Sequence, residues 1–275
     1  TGYGHLGTVV TVGPETTNVK PGDRILTFSR HGSLVRANVA RFALPVPADA
    51  DGRQAVFTRM AGVAITALRA STVAAGEQVV VIGLGLVGNL AAQVFQVAGA
   101  DVLALDPAPR RVELALRCGI RRAEALAGDA ALTAVRDWTG GKGARIVVEA
   151  VGRSDLLAQG VEMAARHGEV ISLGSPRASY SADMTPMLAR LHLQAIRLIG
   201  ALEWTFPIAE TERAQHSILN NYRTLLRWIM EGRLVVDPLR THVLPPQRCQ
   251  EAYAGLTHQK DDYLGVVFDW TAPNG

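Results

Sequence analysis

The chain has 275 residues, of which 48% are hydrophobic and 19% are charged, a balance typical of a protein that buries a substantial core. Its 28 basic and 25 acidic residues give a formal net charge of +3, and the arginines are scattered, which argues against a nucleic-acid-binding surface. The two cysteines, Cys118 and Cys249, lie far apart and exclude a disulfide framework or a four-cysteine metal site. We therefore expect a reducing, cytoplasmic setting.

Short β-strands and turns are predicted for the start of the chain. Apolar residues alternate from Gly7 to Val12, and a second strand is predicted from Arg24 to Phe28. An apolar spacing of about 3.6 residues then predicts a helix from Gln54 to Ala70. Because the first residue is Thr1 rather than methionine, we expect the protein to be incomplete at this end.

Beyond Gln78, buried strands alternate with amphipathic helices. Strands are predicted over 79–82, 102–105, 145–149 and 169–173, and helices over 89–98, 110–117 and 155–165. Continuous apolar strands between helices are typical of a parallel sheet covered on both faces, so the predicted fold class is α/β and doubly wound. The stretch 79–100 is as long as a membrane helix, but its glycines and polar side chains argue against a membrane span.

The last part of the chain is predicted to combine helices and strands. A polar helix is expected over 210–230, a strand over 239–244, a helix over 247–256 and a final strand over 265–269. We find no internal repeat and no low-complexity tract in the sequence.

A buried strand runs directly into the pattern G-x-G-x-x-G and then into a helix. Gly83 allows the tight turn, Gly85 lets a pyrophosphate approach the backbone, and Gly88 lets the helix pack closely on the strand. Free amides at the helix N-terminus can receive the charge of a phosphate, and Leu86 and Val87, between the second and third glycines, are further candidate cofactor-binding residues. Three glycines alone are a weak indication, and the alternative is a structural turn without a ligand.

The next strand ends at Asp106, the position that meets the adenosine ribose of a bound dinucleotide. Its carboxylate can accept hydrogen bonds from both ribose hydroxyls and repels a 2′-phosphate, so we expect NAD(H) rather than NADP(H). Arg110 and Arg111 follow and could hold such a phosphate, or they simply begin a solvated helix.

Further motifs occur in order along the chain. They are G-T-V-V-T-V-G at 7–13 with P-G-D-R at 21–24, V-E-A-V-G at 148–152, G-E-V at 168–170 with Gly174, and D-P-L-R-T-H-V-L-P at 237–245 with E-A-Y at 251–253. With the dinucleotide fingerprint, they resemble the medium-chain dehydrogenase/reductase family, which includes zinc alcohol dehydrogenases and quinone reductases. The short stretch 23–42 is most similar to the branch related to bacteriochlorophyllide and threonine dehydrogenases.

The resemblance implies a Rossmann domain over 62–208 and a partial, β-rich GroES-like lobe over 1–61, to which the chain returns over 209–275. It implies that Arg111 and the segments of Ala150, Val151, Gly152 and Gly174 lie beside the cofactor. It further implies an NAD(P)-dependent oxidoreductase that transfers hydride to or from a small alcohol, carbonyl or conjugated carbonyl substrate.

Two departures from the family pattern bear on zinc. Tyr3 and Gly4 stand where the resemblance places a histidine and a glutamate of the zinc site, and Met60 stands where it places a ligand cysteine. A phenol and a thioether are poor ligands for Zn²⁺, which prefers thiolate, imidazole or carboxylate. We therefore expect no zinc.

Without a metal, hydrogen-bond donors must polarise the substrate, and Tyr3 and His31 are the candidate catalytic residues. A satisfied structural tyrosine is the alternative interpretation of Tyr3. For the whole protein, the alternative is a non-catalytic NAD(H)-binding scaffold or redox sensor. By fold-level analogy we also expect a homodimer formed through the apolar stretch from Leu191 to Ala201.

Overall fold

A computed structural model describes residues 2–271 and divides the chain into two units. One unit comprises Thr1–Gly62 together with Glu203–Gly275, and we call it the β-rich unit. The other comprises Val63–Leu202, and we call it the Rossmann unit. Each unit is described separately below.

Three short antiparallel strands open the β-rich unit, in the order β1-β2-β3. They are β1 (His5–Thr8), β2 (Arg24–Thr27) and β3 (Leu44–Pro45), and helices α1 (Gly52–Ala55) and α2 (Thr58–Ala70) follow. The predicted strand from Gly7 to Val12 is wrong beyond Thr8, where exposed valines have no neighbouring strand to pack against. The single predicted helix is two helices, and the Asp51 carboxylate caps the first by accepting a hydrogen bond from the Arg53 amide.

Six parallel strands form the sheet of the Rossmann unit, in the order β6-β5-β4-β7-β8-β9. The strands are β4 (Gln78–Ile82), β5 (Asp101–Leu105), β6 (Ala123–Glu124), β7 (Ala144–Glu149), β8 (Ala164–Ser172) and β9 (Arg197–Gly200). The helices are α3 (Leu86–Val97), α4 (Pro109–Arg117), α5 (Gly128–Trp138), α6 (Ser154–Met163) and α7 (Thr185–Gln194). This is the predicted doubly wound α/β fold of Rossmann type.

The central strands are apolar because helices cover both of their faces. Four elements escaped prediction, namely β6, β9, α5 and α7. The reasons are local: β6 has only two residues, β9 is an exposed edge strand, and α7 buries none of its side chains. Among the described residues, no helix is both long and apolar enough to cross a membrane.

The chain then returns to the β-rich unit with α8 (Ile218–Met230), β10 (His242–Leu244), α9 (Cys249–His258) and β11 (Val266–Phe268). The helix predicted over 210–230 begins only at Ile218, because the Ser217 hydroxyl caps it by accepting a hydrogen bond from the Asn220 amide. The strand predicted over 239–244 is shorter, because Asp237–Leu239 forms a 3-10 turn.

A buried ion pair stands in the core of the β-rich unit. Nη1 of Arg59 donates to both carboxylate oxygens of Glu203, at 3.1 and 2.8 Å, and to the Tyr222 hydroxyl at 2.6 Å. The same hydroxyl donates to Oε1 of Glu203 at 2.7 Å. Burial raises the pKa of Tyr222, so this hydroxyl stays protonated and available as a donor. We call these three residues the Arg59 centre.

Aromatic rings surround the Arg59 centre. The guanidinium carbon lies 5.2 Å from the centroid of Phe28, 5.5 Å from that of Tyr3 and 5.7 Å from that of Trp204. Ring faces attract a cation through their negative quadrupole, so the rings and the carboxylate together compensate the charge that Arg59 buries.

We predict that Glu203→Gln destabilises the protein by about 3–5 kcal/mol, because it leaves the buried Arg59 charge without its counter-ion. Urea unfolding followed by circular dichroism measures the change. The matched control is Glu210→Gln, which breaks the exposed pair with Arg223 and should cost at most about 1 kcal/mol. Equal unfolding midpoints for the two variants would show that the Arg59 centre contributes nothing to stability.

Candidate functional site

The strand order of the Rossmann unit reverses between β4 and β7, a point at which open α/β sheets form a crevice. The loops that leave the carboxyl ends of the parallel strands meet at this edge of the sheet. They carry the sequence-predicted residues Gly83 to Gly88 after β4, Asp106 after β5, Ala150 to Gly152 after β7 and Gly174 after β8. Ligands of open α/β sheets bind at such a point.

Glycines let these loops approach one another more closely than side chains would allow. A Cβ atom on Gly88 would overlap the carbonyl oxygen of Gly83, and one on Gly174 would overlap the amide nitrogen of Gly152. Gly83 itself has a φ of 95°, which favours glycine. By contrast, no atom lies within 4 Å of the position that a Cβ on Gly85 would take. The space in front of Gly85 is therefore open to a ligand.

Helix α3 begins at this open space. Gly85 is its N-cap residue and provides no side-chain cap, so the first amides of the helix point outwards without a side-chain partner. Leu86 and Val87 are the first residues of the helix. Their amides and the helix dipole suit the negative charge of a pyrophosphate group.

The Asp106 carboxylate links the two strands next to the crevice. Its Oδ2 accepts a hydrogen bond from the Leu84 amide at 2.8 Å, and its Oδ1 accepts one from the Ala108 amide at 2.9 Å. The side chain is only 1% exposed, and Nη1 of Arg111 lies 3.4 Å from Oδ2. Each carboxylate oxygen can accept a second hydrogen bond, so the residue still fits a ribose once the long Arg111 side chain moves aside.

Glu149 ends strand β7 and organises the loop that follows. Its Oε1 accepts hydrogen bonds from the amides of Val151 and Gly152, each at 2.8 Å, and of Arg153 at 3.3 Å. Burial raises the pKa of Glu149, while these amides act against that increase. The carboxylate thus fixes the backbone of the predicted cofactor-contacting residues Ala150 to Gly152.

The two candidate catalytic residues lie in the β-rich unit. The Tyr3 side chain is 63% exposed, and its backbone carbonyl accepts a hydrogen bond from Nε of Arg59 at 3.1 Å. His31 lines a cavity of about 1170 Å³ and has its ring edge-on to Phe268 at 5.0 Å. Burial lowers the pKa of His31, and the neighbouring His5 adds to the shift, so the imidazole is neutral at pH 7. Within residues 2–271, no hydrogen bond joins Tyr3 to His31.

The residues near Tyr3 do not fit a zinc ion. Among the described residues, no group of three or more His, Cys, Asp or Glu side chains is arranged to hold a metal. The buried guanidinium of Arg59 contacts the Tyr3 backbone and ring, and a guanidinium has no lone pair to offer a metal ion. Sequence analysis missed Arg59, although a charged residue in the apolar helix α2 was the available indication.

The chain matches the model of the zinc-binding dehydrogenase family over residues 87–214. It is 33% identical to 2-dehydro-3-deoxy-L-galactonate 5-dehydrogenase of Pseudoalteromonas atlantica over 162 residues, which cover 59% of this chain and 46% of that protein. It is 28% identical to D-guloside 3-dehydrogenase of Shigella flexneri, with 96% of this chain and 76% of that protein covered. For L-threonine 3-dehydrogenase of Bacillus licheniformis the identity is 25%, with 91% and 77% covered. The match thus spans less than half of the first relative and about three quarters of the others.

Solved structures share the fold. A zinc-dependent alcohol dehydrogenase 2 from Streptococcus pneumonia superposes with a TM-score of 0.81 at 20% identity, covering 100% of this chain and 84% of that chain. Galactitol-1-phosphate dehydrogenase from Escherichia coli gives a TM-score of 0.77 at 17% identity, covering 92% and 80%. The family model, the relatives and the fold agree with the ordered motifs in the sequence. The chain is therefore similar in sequence and in fold to dehydrogenases of the zinc-binding type.

Proposed function

We propose that this protein is an NAD(H)-dependent oxidoreductase. The observation that carries the proposal is the crevice between β4 and β7, where the open space at Gly85, the uncapped start of α3 and the Asp106 carboxylate lie side by side. These groups match the pyrophosphate and the adenosine ribose of one dinucleotide. The negative charge of Asp106 repels a 2′-phosphate and so favours NAD(H) over NADP(H). The ion pair with Arg111 acts against this preference, because it partly neutralises the Asp106 charge.

Relatives suggest the kind of substrate. Three of them are dehydrogenases of a sugar acid, a glycoside and a hydroxy amino acid. We infer that this protein acts on an alcohol or carbonyl group of a small, polyhydroxylated compound. Conjugated carbonyl compounds remain within the same reaction class, since the cofactor supplies or accepts a hydride in each case.

The residues of this chain would bind the cofactor, position it and move a proton. The α3 amides would hold the pyrophosphate, Asp106 would hold the adenosine ribose, and the backbone of Ala150 to Gly152 and Gly174 would contact the rest of the cofactor. Tyr3 presents an exposed phenol that can donate to a substrate oxygen, and neutral His31 can accept a proton. We propose these two residues as the catalytic donor and acceptor.

We also propose that the reaction does not need zinc. The support is the chemistry of the positions where the resemblance places zinc ligands, since a phenol at Tyr3 and a thioether at Met60 replace the ligands that zinc prefers. The buried guanidinium that contacts Tyr3 offers no ligand either. Hydrogen-bond donors held in a fixed geometry then supply the polarisation of the substrate. The alternative function is a scaffold or redox sensor that binds NAD(H) without turnover.

Gly85→Ala tests the cofactor site. We predict an unchanged thermal unfolding midpoint, because the added methyl group meets no protein atom and the φ of −61° suits alanine. The methyl group occupies the space of the pyrophosphate, so the Kd for NADH should rise at least about tenfold in a fluorescence titration. Gly88→Ala is the contrasting variant and should lower the unfolding midpoint, because its methyl group overlaps Gly83. Unaltered NADH affinity in Gly85→Ala would contradict the assignment of this site.

Chelation tests the zinc-free mechanism and separates the enzyme from the sensor. We predict that an aldehyde, ketone, polyol and enone panel contains a substrate, and that kcat is unchanged after incubation with 1,10-phenanthroline. Metal analysis of the purified protein should show less than one zinc ion per ten chains. Bound zinc with chelator-sensitive turnover would contradict the mechanism, and NADH binding without any turnover would favour the sensor.

We further propose a cytoplasmic homodimer. Cys118 and Cys249 are free thiols in the structure, which suits a reducing compartment. Strand β9 is an open edge of the sheet within the predicted stretch from Leu191 to Ala201, and Leu193 is 69% exposed beside it. An open strand edge next to exposed leucines suits pairing with a second copy of the chain.

Leu193→Lys combined with Leu198→Lys should shift the mass in sedimentation equilibrium from dimer to monomer, because two buried charges would oppose the interface. Leu116→Lys, which changes another exposed leucine, on α4, is the control and should leave the dimer intact. A wild-type protein that sediments as a monomer would contradict the dimer.

A further inference from the structure

A second cavity of the β-rich unit has an unusual charge. This cleft has a volume of about 630 Å³ and is lined by three arginines, Arg30, Arg36 and Arg41. Within the described residues, no aspartate or glutamate lines it. A cleft of this size suits a small molecule, and its formal charge is +3 before any ligand binds.

The three guanidinium groups have no partners in the described part of the chain. None of them takes part in an ion pair or a side-chain hydrogen bond there. Other arginines of the same unit have protein partners: Arg24 donates to three backbone carbonyls, and Arg53 forms an ion pair with Asp269. The cleft arginines therefore keep all their donors for a ligand, and a guanidinium fork matches the two oxygens of a carboxylate or phosphate.

Aromatic rings form the apolar part of the cleft. Phe28 stacks on Phe42 with ring centroids 3.9 Å apart, and Trp204 stands edge-on to Phe28 at 5.4 Å with 48% of its surface exposed. The exposed indole of Trp204 suits the C–H face of a carbohydrate chain, while Asn38 adds an amide to the cleft lining for hydroxyl groups.

The cleft adjoins the candidate catalytic tyrosine through shared rings. Phe28 and Trp204 line the cleft and also flank the Arg59 guanidinium, whose Nε donates to the Tyr3 carbonyl. A ligand anchored in the cleft would thus lie against rings that contact the same guanidinium as Tyr3. We infer that the cleft binds the anionic end, a carboxylate or a phosphate, of a polyhydroxylated substrate, an inference that rests on the proposed function.

Three ligands that share an open six-carbon polyol chain test the inference. They are D-gluconate, sorbitol 6-phosphate and neutral sorbitol, each titrated into the whole protein by calorimetry, with and without NADH. We expect at least one of the two anions to bind at least tenfold more tightly than sorbitol, and this preference should shrink as salt is raised. The anion that binds more tightly identifies carboxylate or phosphate as the preferred group.

The variant Arg36→Gln combined with Arg41→Gln should weaken binding of the preferred anion at least tenfold and leave sorbitol unaffected, since each substitution removes a charge-assisted donor. Arg136→Gln is the control, an exposed arginine on α5 outside the cleft. Circular dichroism confirms that each variant folds. Equal binding of anions and sorbitol, or an anion preference that survives in the double variant, would overturn the inference.

The same samples separate this inference from the proposed function. If NADH binds but the protein binds the anions no more tightly than sorbitol, the anion site is wrong and the cofactor proposal is unaffected. If NADH fails to bind, the proposed function falls, while the titrations without NADH still decide whether the cleft recognises an anion.

Discussion

The Asp106 carboxylate holds together the ends of two parallel strands, because Oδ2 accepts a hydrogen bond from the amide of Leu84 across the sheet. This bond fixes the turn after β4 at the point where the strand order reverses. The position of α3, and with it the direction of the helix amides, follows from that turn. This hydrogen bond is strong, because its acceptor is a charged and buried carboxylate. A bound cofactor would donate hydrogen bonds to the remaining lone pairs of the same carboxylate.

The main physical constraint in the β-rich unit is a buried charge. This unit buries a permanent positive charge at Arg59 and compensates that charge with Glu203, the Tyr222 hydroxyl and several rings. Desolvation of a buried ion pair costs free energy, so a gain in stability does not by itself explain why the pair is present. Here Arg59 of the ion pair also donates a hydrogen bond to the Tyr3 carbonyl. The rings of Phe28 and Trp204, which flank Arg59, also line the cleft, where the arginines are exposed and have no ion-pair partner in the described part of the chain.

Local patterns were sufficient to predict the Rossmann fold. The strand before Gly83, the three glycines and the acid at Asp106 each have a local physical reason, and the structure places them at one edge of the sheet. Sequence alone could not show that Asp106 is already engaged by two amides and covered by Arg111, because those contacts depend on the tertiary approach of two strands.

The β-rich unit was less predictable, because its decisive contacts join residues far apart in the chain. Arg59 meets Glu203 and Tyr222 only after the whole Rossmann unit has intervened in the sequence. The position of Trp204 beside the cleft depends on its contact with Phe28, which directly follows β2. Strand β9 and helix α7 escaped prediction because an exposed edge lacks the buried apolar pattern that marks interior elements.

A crystal structure of the protein grown with NADH would show whether the nucleotide binds at this reversal of strand order. We expect pyrophosphate oxygens within hydrogen-bond distance of the Leu86 and Val87 amides, the adenosine ribose on the Asp106 carboxylate, and the Arg111 side chain moved aside. An empty crevice between β4 and β7 at saturating NADH, or a nucleotide bound elsewhere on the chain, would contradict this expectation.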